Sequence, residues 1–124
     1  MKTDWIIHTI IDDKTGKVSG HTHSLDKFGS PEIEINLNIR PGVLGQYLNL
    51  IADHIVNKGL QIEDGVKVES VFNCPIYFFR VKSIQSDDEV LRAIFPDENM
   101  NYPWDRDCSS EYKDQIVLKG KYKL

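Results

Sequence analysis

PEIEINLNIR (residues 31–40) runs directly into PGVLGQYLNLIADHIVNKG (residues 41–59), and the period of the apolar residues changes at the join. Ile33, Ile35, Leu37 and Ile39 alternate with Glu32, Glu34, Asn36 and Asn38, the period of two that marks a half-buried strand. Beyond Arg40-Pro41-Gly42 the spacing becomes helical. Leu44, Tyr47, Leu48, Ile51 and Ile55 share one face, and Gln46, Asn49, Asp53 and Asn57 the other. Proline suits the first position of a helix but cannot continue a strand ladder. Gly59 supplies a left-handed stop over which Leu60 can close. An eight-residue strand of about 26 Å and a sixteen-residue helix of about 24 Å match in length, so the helix can lie back along the sheet.

Working outward, residues 4–12 read as a strand with Trp5, Ile7 and Ile11 on one side and Ile6 and Ile10 on the other. Apolar residues on both sides predict an interior strand covered on both faces. Asp13-Lys14-Thr15-Gly16 is a turn with glycine placed for positive φ, so Lys17 to Leu25 is expected to return as a hairpin partner. Val66–Phe72 and the dense run Ile76–Val81 are further strands. Ser86-Asp87-Asp88-Glu89 fits a capping box, and Val90, Leu91, Ile94 and Phe95 would give the buried face of a short helix stopped by Pro96. Residues 97–114 are expected to be irregular, with a last strand over Gln115–Leu118. The fold class is therefore α+β: a mostly antiparallel sheet of five or six strands, one long helix packed on it, and a second short helix. One domain spans 1–124, with 119–124 a frayed basic tail.

Bulk properties bound the function. A chain of 124 residues can bury one core without disulfides or metals. With 40% hydrophobic and 27% charged residues and a net charge of −4, it is neither a disordered chain nor a basic nucleic-acid binder. No apolar run is long enough for a membrane helix, and MKTDWIIHTIIDD is too short and polar for a secretory signal. Cys74 and Cys108 lack metal-ligand spacing and read as free thiols of a reducing cytoplasm.

Several residues invite a chemical reading. His21 and His23 are two apart on a strand and point to one side, and His8 on the paired strand would offer a third ligand for a metal. With Glu32 they make the enzyme alternative, a small-molecule- or metal-binding site. No Cys, Asp or Glu stands at a recognisable ligand spacing to complete it. Glu32 and Glu34 alternate with buried aliphatics and read as a solvated outer face. His54 reads as a boundary residue of the helix. No nucleophile elbow, phosphate loop or HExxH occurs, so no catalytic residue, metal or cofactor is assigned. Residues 87–114, by contrast, carry nine acids against three bases, enough to steer a basic partner. Within that segment Tyr102-Pro103-Trp104-Asp105 either packs back on the core or anchors a partner.

Four pieces occur in order: His21-Thr22-His23-Ser24-Leu25; Gly29-Ser30-Pro31-Glu32-Ile33, leading to the helix with Tyr47-Leu48-Asn49; Cys74-Pro75-Ile76-Tyr77-Phe78; and Phe95-Pro96-Asp97 with Tyr102-Pro103-Trp104-Asp105. Together, over roughly residues 21–105, they resemble the bacterial family catalogued as domain of unknown function 4262. Its members are similar in a Tyr-Thr-Val-Gly-Leu-like segment, a His-Pro-Glu-Leu-like strand start and a Trp-Pro-Asp…Phe-Pro-Trp-Asp-like ending. Here His21, His23 and Ser24 stand where that pattern has an aromatic, an aliphatic and a glycine, and Ser30 replaces its histidine. The resemblance implies a small cytosolic bacterial domain and brings no established activity.

The expectation is thus a non-enzymatic protein-binding domain without membrane or nucleic-acid contacts. Its specific form is a small acidic immunity protein that neutralises a cognate basic toxin in bacterial competition, since nuclease toxins carry positive charge for phosphates. The expected contact residues are Glu98, Tyr102, Trp104, Asp105, Asp107 and Glu111.

Overall fold

A computed structural model describes residues 4–118 and 121–122, with side chains through residue 116. In chain order the elements are β1 (Ile6–Ile11), β2 (Val18–His23), β3 (Ile33–Ile35), α1 (Pro41–Lys58), β4 (Lys67–Val68), β5 (Ile76–Lys82), β6 (Glu89–Ile94), α2 (Ser110–Lys113), β7 (Val117–Leu118) and β8 (Lys121–Tyr122). The first six strands form one sheet in the order β1-β2-β3-β6-β5-β4. Its pairings are antiparallel except β3 with β6, which run parallel. The α+β class, the mostly antiparallel sheet and the long helix are as expected. Among the described residues no helix is long and apolar enough to cross a membrane. Lys121–Tyr122 of the expected frayed tail pairs with Val117–Leu118; the rest of that tail lies outside the described residues.

The central stretch forms as its pattern dictates, with one shortening. Ile33, Ile35 and Leu37 are buried, but the strand ends at Ile35 and residues 36–40 are irregular. Ile39 N donates to Leu37 O at 2.8 Å, a tight turn that breaks the ladder before Pro41. Leu44, Leu48, Ile51 and Ala52 of α1 are buried. Gly59 adopts φ 73°, and Leu60 N donates to His54 O at 3.0 Å, closing the helix as a glycine stop does. Gly20 of β2 makes room for this packing. A Cβ there would overlap Leu44 Cδ2 and lie 2.9 Å from Leu48 Cδ1 and 3.0 Å from His8 O.

Several expectations are corrected. The strands expected over Val66–Phe72 and Gln115–Leu118 are reduced to β4 and β7, two residues each, with a 3-10 turn over Asp114–Ile116. Residues 86–95 are not a helix: Glu89–Ile94 is β6, hydrogen-bonded to β3 on one side and β5 on the other. Its apolar residues occur at both parities, which suits a strand covered on both faces as well as a short buried helix. Ser86 serves a turn instead, accepting from Asp88 N at 3.2 Å, while Ser83 N donates to Asp88 O at 2.9 Å. The second short helix is α2, at Ser110–Lys113. Nor is β1 an interior strand. It is the sheet edge, with Ile6 52% and Ile11 56% exposed.

α1 covers one face of the sheet, against β1, β2 and β3. The other face carries a row of cross-strand partners, His8, His21, Glu34, Arg92 and Phe79, in direct register across five strands. Glu34 and Arg92 are each 1% exposed, which overturns the solvated face expected for Glu34. Arg92 Nη2 lies 2.8 Å from Glu34 Oε1, and Nε donates to the same oxygen at 2.9 Å. Glu34 Oε2 accepts from Ser83 Oγ at 2.6 Å and Ile84 N at 3.3 Å. Arg92 Nη1 donates to Gln115 O at 3.2 Å. Cutting one partner leaves a buried charge uncompensated. Glu34→Ala or Arg92→Met alone should therefore lower stability by about 3–5 kcal/mol in urea denaturation. Glu34→Leu with Arg92→Met should lie closer to wild type than either single change; a double loss equal to the sum of the singles would contradict this reading.

Candidate functional site

The polar face of the sheet ends at its exposed edge in three histidines. His8 and His21 are opposite one another in the β1–β2 register, and His23 follows two residues on. Alternation therefore brings all three rings to one side. The ring centroids lie 5.4 Å apart for His8 and His21, 4.4 Å for His8 and His23, and 4.7 Å for His21 and His23. His21 Nε2 is 3.0 Å from His23 Nε2. One nitrogen from each ring falls within 4.8 Å of the others. Nitrogens sharing a tetrahedral zinc are about 3.3 Å apart, so the His21–His23 pair already stands near that spacing. His8 is exposed, and rotation of such a side chain can close the longest gap.

His21 is the inner member. Its burial, and then the neighbouring His23 and His8 rings, hold its pKa below the usual imidazole value, with Glu34 opposing. Its Nδ1 is, among the described residues, the buried side-chain polar atom without a hydrogen-bond partner. His21 and His23 also line an open groove of about 550 Å3 running from the end of β2 to the β5–β6 turn. Asp26, Ser86, Asp88 and Glu89 stand along it.

Glu32 borders the groove but does not join the histidines. Its carboxylate accepts from Thr22 Oγ1 at 2.8 Å and from the backbone N–H groups of Leu25 and Asp26 at 3.2 Å each. Thr22 Oγ1 in turn accepts from Ile33 N at 2.9 Å. Glu32 thus fastens the turn after β2, where Ser24 takes the left-handed φ of 75°. The four-residue constellation expected for the enzyme alternative is corrected to three histidines.

The expected partner-binding residues separate into two groups. Tyr102 and Trp104 pack back on β5. Their rings stack with centroids 5.1 Å apart, and each meets Tyr77 edge-on, at 5.2 and 5.0 Å. Tyr102 Oη donates to Pro75 O at 2.7 Å, and Asp105 Oδ2 accepts from Tyr102 N at 2.7 Å. Trp104 nonetheless stays 42% exposed. Glu98, Asp107 and Glu111 are exposed. Two other acids of the segment are engaged: Asp114 pairs with Lys17 at 3.0 Å and Glu89 with Arg80 at 3.6 Å. Cys74 and Cys108 are both free thiols.

No family model matches the chain, and neither the curated proteins nor the solved structures include a match.

The loop that carries Trp104 is tied at its base by Asp97, which the sequence marks only as part of the family-like Phe95-Pro96-Asp97 piece. Asp97 accepts from the backbone N–H groups of Asn99 and Asn101 at 2.9 Å each and of Ser109 at 3.0 Å. The Asn101 and Ser109 bonds, then that of Asn99, hold its carboxyl below the usual carboxylate range. A depressed folded-state pKa stabilises fully above the unfolded pKa and is lost as pH falls through the folded one. Urea stability of wild type should therefore drop below about pH 4. Asp97→Asn should be less stable at pH 7 and show a shallower acid slope, part of which remains because Asp12 is depressed in the same way. An unchanged slope would remove Asp97 from the account.

Proposed function

We propose that this protein binds a transition-metal ion of the zinc type through His8, His21 and His23. The observation that carries the reading is the convergence of three imidazoles from two paired strands, with nitrogens within 4.8 Å of one another. Imidazole suits zinc, copper and nickel. Glu34, opposite His21 and locked to Arg92, gives the inner histidine a fixed anionic neighbour. Titration calorimetry of the tag-free chain with Zn2+ should give one site per chain. His21→Ala should weaken it by more than the about 10–100-fold that loss of an outer-layer partner costs, whereas Glu32→Gln should leave it unchanged. Equal affinity for wild type and for His8→Ala and His21→Ala would refute the site.

A second reading is favoured by Trp104, which stands exposed on an aromatic platform of Tyr77, Phe79 and Tyr102. It is protein docking, in the form of a cytoplasmic immunity protein that neutralises a basic toxin, with Glu98, Asp107 and Glu111 exposed in the same segment. Rigid aromatic residues of this kind are common at binding hot spots. For a partner captured from native cells, Trp104→Ala should cost about 2 kcal/mol or more of binding energy; undiminished affinity would take this surface out of consideration. The proposal extends to membership of the family of unknown function 4262. Ser24, where that pattern has glycine, has the positive φ of 75° that glycine adopts freely.

A further inference from the structure

We propose that the three-histidine centre keeps a coordination position open toward the groove at the end of β2, and that a small nitrogen base enters there in place of water, bound through its neutral lone pair after any proton it carries has passed to solvent. This rests on the metal reading above. Structural zinc sites are closed by four protein ligands, whereas sites with three protein ligands hold an exchangeable water or substrate in the fourth position. Among the described residues the ligand group numbers three. Glu32, the carboxylate that would close it, has its oxygens engaged by Thr22, Leu25 and Asp26.

The groove sets the ligand class. His21 and His23 form part of its wall, so a molecule lying in it reaches the histidines directly. The remaining wall carries Asp26, Asp88 and Glu89, all exposed, and no Lys or Arg is among its described lining residues. Arg80, which meets Glu89 at 3.6 Å, does so from outside the lining. A concave surface of one sign repels ligands of that sign and concentrates the opposite one, within about a Debye length of 8–10 Å. An anion such as a carboxylate approaches the centre against this field. An amine or imidazole donor does not, and its spare N–H groups find carboxylate acceptors.

The test loads the full chain with Co2+ and follows its visible ligand-field spectrum while imidazole or azide is added at low ionic strength. Cobalt retention is checked by metal analysis after desalting. The expected result is a spectral shift with both ligands, with the imidazole midpoint about tenfold lower than that of azide. Raising the salt, or replacing Asp88→Asn with Glu89→Gln, should narrow that ratio. Failure to take up cobalt would overturn the metal reading itself. Cobalt uptake with a spectrum indifferent to both ligands would overturn the open position and leave the metal reading standing. Tighter azide than imidazole would overturn the ligand class alone.

Discussion

A carboxylate and a guanidinium, each 1% exposed, meet where the two halves of this sheet join. Glu34 is on β3 and Arg92 on β6, the parallel junction between the N-terminal hairpin with its added strand and the C-terminal three strands. Removing both charges from water is expensive unless the remaining donors and acceptors are met. Here they are met from four directions: Ser83 and Ile84 on the acid, and the carbonyls of Lys82 and Gln115 on the base. The pair therefore fixes more than two strands. Through Ser83 it holds the β5–β6 turn. Through Gln115 it holds the C-terminal segment, whose Gln115 side chain clasps Phe95 by both backbone groups, at 2.7 and 2.8 Å.

That arrangement divides the labour of the two sheet faces. One face is apolar and is covered by α1, close enough at Gly20 to exclude a side chain. The other holds the charged row, which begins in the buried pair and ends at the open edge with His21 and His8. The edge strand β1 owes its exposure to its place in the order. The same place leaves His8 and His23 accessible while His21 is half-buried. Burial at one end and access at the other suit the proposed metal site, which would need a fixed inner ligand and a route in from solvent.

The strand-to-helix stretch was legible because its two periods are unambiguous and each has its own boundary signal, Pro41 and Gly59. The alternation of His21 and His23, with His8 on the returning strand, was legible for the same reason, since a hairpin register carries it. The misreadings share a different cause. Val90, Leu91, Ala93 and Ile94 are buried on both sides of β6, and a doubly covered strand has no period of its own to read. The apolar residues of β1 suggested the opposite error, an interior strand, because exposure at an edge is set by sheet order rather than by the strand. Glu34 reads as solvated because its partner lies 58 residues away, and Glu32 reads as available because its partners are the Thr22 hydroxyl and backbone groups of a turn. No local pattern announces either.

The proposed three-imidazole coordination is open to X-ray absorption at the zinc edge of the loaded, tag-free chain. The expected result is a first shell at about 2.0–2.1 Å with the outer-ring scattering of three imidazoles and one further oxygen or nitrogen donor. A shell of oxygens without imidazole scattering, as carboxylates alone would give, would contradict it.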